Sequence, residues 1–448
     1  MADDKNKKYI PWLYSQLEIL TRKNVIGPGT AKNIREYYGE VPESKKLTGT
    51  AIFTALGLIL IGFGILLIIA FNWDKFPRVP KVILSLAPLA AGLTLAYFAH
   101  KQRRKKITYM EGAGAFWFLS IGGTIALISQ TYNIVGNMEG FLFIWLILAL
   151  PVMYALGSSF AYFFYVAWVI WWASVAQNEG GYAVGFWFFM AAALPFFIKK
   201  FREDRYSDGV IRNSFITALA FTIGTGVSLE KCVPGLWIVI YMSMFSLLYL
   251  SSGTLYKDRE AVLRRPFQWF SVLGIAILTL MLTMKWVWHE VGWHYYRYES
   301  RFNSIAAIGD YVIAVVLVSG ALLMLFDSFR YKKPWLLDYG SAPIVAITCF
   351  LLMSFFGDVD NDKALLSVLA IMNIYAAYIG MKTIMAGVEL RQMAVVNGGM
   401  LILGVLIMMR FFDMDFGLME RGVAFIVIGS AILAGSRMIA GRIGKKNG

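Results

Sequence analysis

Apolar and polar residues alternate along this chain on the scale of whole helices. Runs of about 20 apolar residues, the length a helix needs to cross hydrocarbon, recur from residue 48 to residue 436, with short polar segments between them. A helix satisfies its own backbone inside a bilayer, so runs of this length predict membrane helices. Fourteen are expected, near 48–71, 80–99, 110–129, 139–156, 160–176, 181–198, 211–229, 234–253, 266–284, 304–326, 336–356, 364–386, 392–409 and 419–436. The boundaries are least sharp between 139 and 198, where "GSS" (157–159) alone separates two spans. Pro88, Pro151, Pro195 and Pro343 fall within spans, where a proline frees a backbone carbonyl for contact or kinks the helix for packing.

Residues 1–47 are different in kind. "PWLYSQLEILTRKNVI" carries Trp12, Leu13, Leu17 and Leu20 on one helical stripe, "GPG" (27–29) breaks it, and "TAKNIREYYGEV" resumes with Thr30 as the expected N-cap and Ile34, Tyr37 and Tyr38 on one face. The segment predicts a helical hairpin too small to bury a sizeable core alone, so it is expected to pack on the inner ends of the spans or on a protein partner. It lacks a short apolar core followed by small residues, which excludes a cleavable signal.

Composition agrees with the pattern: 58% of residues are hydrophobic, 16% are charged, and the mean hydropathy is +0.61, against about a quarter charged in soluble domains. The fold class is therefore all-α, a polytopic membrane protein with a cytoplasmic hairpin (1–47), a transmembrane domain (48–437) and a basic cytoplasmic tail (438–448). With the N-terminus inside, the inner segments and adjoining span ends hold 32 of the 42 Lys and Arg residues, as the positive-inside rule requires. "KQRRKK" (101–106), "KKFREDR" (199–205) and "YKDREAVLRR" (256–265) are the richest inner loops. The net charge of +14 thus reports topology and contact with anionic lipid at the inner leaflet of a bacterial inner membrane, not nucleic-acid binding.

Catalytic signatures are sparse. "HEVGWH" (289–294) resembles the zinc motif HExxH, but its histidines are five apart, about 140° around a helix, where a metal needs about 40°. The surrounding "KWVWHEVGWHYYRYES" fits an outer-interface segment with rings at headgroup level. Cys232 and Cys349 lie at different depths and read as small apolar fillers. There is no phosphate-binding loop, dinucleotide fingerprint or nucleophile elbow, so no cofactor and no metal are expected, and the sequence leans away from an enzyme.

What remains are polar residues at membrane depth, where their desolvation makes them functional candidates. Three clusters emerge on the outer side: Asn72, Trp73 and Asp74 in "AFNWDKFP"; Gln130, Tyr132 and Asn133 in "SQTYNIVGNMEG"; and Arg410 and Asp413 in "RFFDMDFGLMER". Read singly, each is an anchor, a helix cap or an ion pair. Together they form a candidate outer substrate site in which Arg410 pairs with Asp413 and faces Gln130 and Tyr132. Asp310, with Arg297 or Arg301 as candidate partners, Asn373 and Asn397 are further intramembrane polar candidates, and Glu111 is expected to pair with "RRKK".

"IAFNWDKFP", "ALISQTYNIVG", "RFFDMDFGLMERGVAFIVIG" and the N-terminal "REYYG" resemble a bacterial family of predicted membrane proteins, domain of unknown function 2157. Ser129 and Thr131 stand where that family tends to carry glycine and an aliphatic residue. The resemblance implies a class and a topology and no activity. Transport or handling of a polar or lipid-linked substrate is the first functional expectation. A scaffold recruiting a partner through residues 1–47 is the second, and a lipid-linked-sugar enzyme the third.

Overall fold

The computed structural model describes residues 13–14, 16–17, 20–21, 25–38, 71, 73–101, 107–179, 181, 183–229, 235–255, 265–288, 291, 305–330, 337–357, 362–413, 419, 422–423, 426 and 429–430. Contacts divide the chain into two units, residues 1–78 and 79–448, and each is described by itself. The expected boundaries at 47 and 437 lie outside the described residues.

In the first unit, helix α1 spans Pro28–Tyr38. The Tyr14 hydroxyl donates to the Arg35 carbonyl at 3.0 Å, and the Arg35 guanidinium lies 5.7 Å from the Tyr14 ring centre. Thr30 is not the N-cap. The amides of Thr30 and Ala31 both donate to the Gly27 carbonyl, and Pro28 occupies the first helical position, where its fixed φ suits a helix and its missing N–H costs nothing.

The second unit is a succession of helices: α2 (Arg78–Lys101), α3 (Ile107–Tyr132), α4 (Met138–Leu156), α5 (Ser159–Asn178), α6 (Phe186–Glu203), α7 (Asp208–Ser228), α8 (Leu236–Leu255), α9 (Pro266–Met281), α10 (Ile305–Arg330), α11 (Leu337–Gly340), α12 (Ala342–Phe356), α13 (Asp362–Glu389) and α14 (Met393–Asp413). Among the described residues, 11 helices are long and apolar enough to cross a membrane, and they coincide with expected spans two to eight and ten to thirteen. The protein is a multi-pass helical membrane protein. The first and fourteenth expected spans lie outside the described residues, apart from scattered positions at their ends.

The boundary carried by "GSS" is sharp for a local reason. Gly157 closes α4 in the left-handed region (φ 62°), and Ser158 caps α5 by accepting from the Ala161 amide, so two helix ends are satisfied in two residues. Pro88, Pro151 and Pro195 sit inside α2, α4 and α6, whereas Pro343 lies in the first turn of α12, after the break at Ser341 that separates it from α11.

The ninth expected span is shorter than anticipated. α9 has 16 residues, about 24 Å of helix, and is followed by turns and a 3-10 turn at Lys285–Trp288. The interface position expected for that aromatic segment does not hold for Trp288, which is 1% exposed and donates from Nε1 to the Leu282 carbonyl at 2.8 Å. An indole N–H that satisfies a helix-end carbonyl is better placed in the core than among headgroups. Trp286 remains exposed.

Among the described residues two large apolar cores form, with a small third cluster of Leu229, Ile240, Ala314 and Leu317. One joins α2 to α7 and is dense in aromatic rings. Trp145 lies 5.7 Å from Phe118 and 5.1 Å from Trp168, and its Nε1 donates to the Phe118 carbonyl at 2.9 Å. Gly122 makes room for that indole, since a Cβ there would come within 2.2 Å of Trp145 Cζ2. The other core is built from α8, α9, α12, α13 and parts of α10, α11 and α14, with Cys349 fully buried within it. α13 and α14 form a close hairpin. A Cβ on Gly399 would lie 2.7 Å from the Gly380 carbonyl oxygen, so the two backbones pack directly, as small residues allow between membrane helices.

Candidate functional site

Two of the described clusters of the expected outer site lie at helix ends, those of α3 and α14. Ser129, Gln130 and Asn133 close α3. Asn133 adopts the left-handed conformation (φ 51°), its amide donates to the Gln130 carbonyl at 3.4 Å, and the Ile134 amide donates to the Ser129 carbonyl at 2.9 Å. This paired pattern is the helix-terminating motif in which Asn or Gly supplies the positive φ. The Gln130 side chain is exposed and Tyr132 is 55% exposed.

Arg410, in the last turn of α14, reaches α9. Its Nη2 donates to the Thr283 carbonyl at 2.7 Å and lies 3.3 Å from Thr283 Oγ1 and 3.4 Å from Met284 Sδ. Thr283 follows the last turn of α9, so a fixed cation meets the negative end of that helix and takes up a carbonyl left without an intrahelical donor. The Asp413 side chain, Asp415, Glu420 and Arg421 lie outside the described residues, as does Asn72. In the first unit, Trp73 is 5% exposed within a short 3-10 turn and Asp74 is exposed.

Of the other intramembrane candidates, Asp310 is 3% exposed on α10, while Arg297 and Arg301 are outside the described residues. Asn373 donates from Nδ2 to the Leu369 carbonyl of its own helix at 2.7 Å, and Asn397 is exposed. Glu111 has a role the sequence did not suggest. Its carboxylate accepts from the Ser158 hydroxyl (2.8 Å), the Ser159 amide (3.0 Å) and the Phe160 amide (2.8 Å). One side chain of α3 thus satisfies the first donors of α5, where a negative charge is also favoured by the helix dipole. The expected partners, "RRKK" (103–106), lie outside the described residues.

A second polar cluster surrounds Asp338 of α11. Its carbonyl accepts from the Tyr375 hydroxyl at 3.2 Å and from Ser341 Oγ at 3.0 Å, and its carboxylate accepts from the Tyr378 hydroxyl and lies 3.6 Å from Lys382 Nζ. Tyr339 shares a hydrogen bond with Thr383 at 2.5 Å. These groups satisfy one another across α11 and α13 and form a clamp.

One concavity among the described residues is an open groove of about 590 Å³ between α5, α7 and α9. Its wall is apolar: Phe163 from α5, Ile211, Phe215, Ile216 and Leu219 from α7, and Phe270 from α9. Two charges line its end, Asp208 in the first turn of α7 and Arg212 one turn further along. The Arg212 guanidinium lies 3.9 Å from the centre of the Phe160 ring, a cation–π contact that fixes its plane. Among the described residues no carboxylate lies within 4.0 Å of it. The sequence signal for this groove was an Asp and an Arg four apart at the start of a span, followed by apolar residues at 215 and 219 on the same stripe. No group of three His, Cys, Asp or Glu side chains that could hold a metal occurs among the described residues.

A model of the family described as "Predicted membrane protein (DUF2157)" matches residues 18–162 of this chain. The matched stretch includes "FNWDKFP", "SQTYN", Glu111 and Ser158 and ends at the start of α5, whereas "RFFDMDFGLMER" and the groove residues from Phe163 onward lie beyond it. No curated protein and no solved structure matches the chain.

Proposed function

We propose that this membrane protein handles a lipid or lipid-linked substrate, whose apolar part lies in the groove between α5, α7 and α9. The observation that carries this reading is the groove itself: an apolar wall with unlike charges at one end suits an amphipathic molecule. The excess of Lys and Arg in the inner segments favours cytoplasmic termini, and in that orientation Asp208 and Arg212 would lie at the inner leaflet. The experiment is photo-crosslinking with a phospholipid that carries a diazirine in its tail. Peptides of α7 around Phe215 and of α9 around Phe270 are expected to be labelled well above those holding Leu323 and Ile374, which are exposed elsewhere (69% and 71%). Even labelling over all exposed apolar surfaces would sink the proposal.

A second reading, a scaffold, draws on α1, which buries none of its residues and leaves Tyr37 72% exposed. A helix of that kind is suited to a protein partner.

A further inference from the structure

The groove sets two unlike charges close together at one end of an apolar wall. From Asp208 to Leu219 the helix rises about 17 Å, close to the depth of one leaflet. Asp208 and Arg212 share the first two turns of α7, where Arg212 Nη2 folds back to 3.9 Å from the place a Cβ on Gly209 would take, and the rest of the groove is lined by apolar side chains, among them Phe215 and Leu219 of α7 and Phe270 of α9. A phospholipid with a primary amine on its headgroup carries an ammonium and a phosphate close together, with acyl chains below. Resting on the lipid-handling reading, we infer that the groove selects a zwitterionic phospholipid bearing a primary ammonium, of the phosphatidylethanolamine type.

Charge complementarity decides among headgroups. An anionic headgroup with no amine would gain Arg212 but set its charge beside Asp208. A quaternary ammonium can approach Asp208 but has no N–H to donate. A primary ammonium donates to Asp208 while its phosphate accepts from Arg212, giving two charge-assisted hydrogen bonds. The stacking of Arg212 on Phe160 holds the guanidinium plane and leaves its edge to meet the phosphate.

The test uses the full-length protein, purified in detergent and freed of lipid, with phosphatidylethanolamine, phosphatidylglycerol and phosphatidylcholine of identical chains added in turn and retention read by native mass spectrometry. The wild type should retain the ethanolamine lipid about tenfold better than either other, as the loss of one charge-assisted hydrogen bond implies. Asp208→Asn, an exposed position, should bring the ethanolamine and glycerol lipids to parity, and Arg212→Gln should weaken all three. Equal or stronger retention of the glycerol or choline lipid by the wild type overturns the headgroup assignment and leaves lipid handling standing. Retention of every lipid unchanged in Arg212→Gln, with a wild-type unfolding midpoint, overturns both.

Discussion

Replacing Glu111 by Ala removes the cap that α3 supplies to α5. The carboxylate accepts three hydrogen bonds, at 2.8, 3.0 and 2.8 Å, and bonds to a charged group contribute about 1.5–3 kcal/mol each. The simple sum is an upper bound. Phe160 is 39% exposed, so water reaches this helix end and restores part of what the two amides lose. Ser158 also keeps its own bond to the Ala161 amide. A loss of about 3 kcal/mol is expected for Glu111→Ala, and about half of that for Glu111→Gln, whose single amide oxygen can still accept. Unfolding in mixed micelles with increasing dodecyl sulfate, followed by tryptophan fluorescence, measures the difference. A Glu111→Ala protein within about 0.5 kcal/mol of the wild type, the range of an ordinary surface substitution, would refute the assignment of this carboxylate as a helix cap.

The Arg410 contact makes a different forecast: Arg410→Ala should cost about 1–2 kcal/mol in the same assay. Thr283→Ala should keep the 2.7 Å bond, whose acceptor is the main-chain carbonyl, and cost about 1 kcal/mol for the buried hydroxyl that donates to the Leu280 carbonyl at 2.6 Å. Gly399→Leu should disrupt the hairpin of α13 and α14 by about 3 kcal/mol or more, since even a Cβ meets the Gly380 carbonyl at 2.7 Å; unaltered stability would show that the helices can separate there without penalty. Orientation is open to impermeant thiol labelling in intact cells, where a cysteine replacing Asp360 should react and one replacing Arg104 should not, and the opposite pattern would invert the topology. Deleting residues 1–40 should leave membrane insertion intact, and insertion lost with that deletion would make the hairpin part of the folding core.

The positions of the 11 spans found among the described residues were legible because their signal is local. An apolar run either is or is not long enough to cross, and the two-residue break at Gly157 and Ser158 announces itself through turn chemistry. Partners were not legible, because no pattern along one helix says which other helix it will meet. Trp288 stands just beyond a span, where an indole ordinarily marks the interface, yet an unsatisfied carbonyl at Leu282 draws it inward. Asp338 was overlooked for the same reason: its value lies in Tyr378 and Lys382, some 40 residues away. Gln130, Tyr132 and Asn133 stood out as polar residues at the end of a span, but so does any competent helix terminus, and only the positive φ of Asn133 reveals the cap. At the start of α1, the fixed φ of Pro28 outweighed the side-chain cap expected from Thr30.

The two caps borrowed from other helices differ in the time at which a growing chain can complete them. Glu111 is made before Ser159, so its carboxylate is already waiting when α5 emerges. Thr283 must wait for Arg410, 127 residues later, which at ordinary rates of synthesis is roughly 6–25 s. During that interval the far end of α9 has to be served by water, lipid headgroups or the insertion machinery. A stalled or truncated chain that ends before α14 would therefore carry a matured first bundle and an open edge at Thr283, a distinct species for quality-control proteases to recognise.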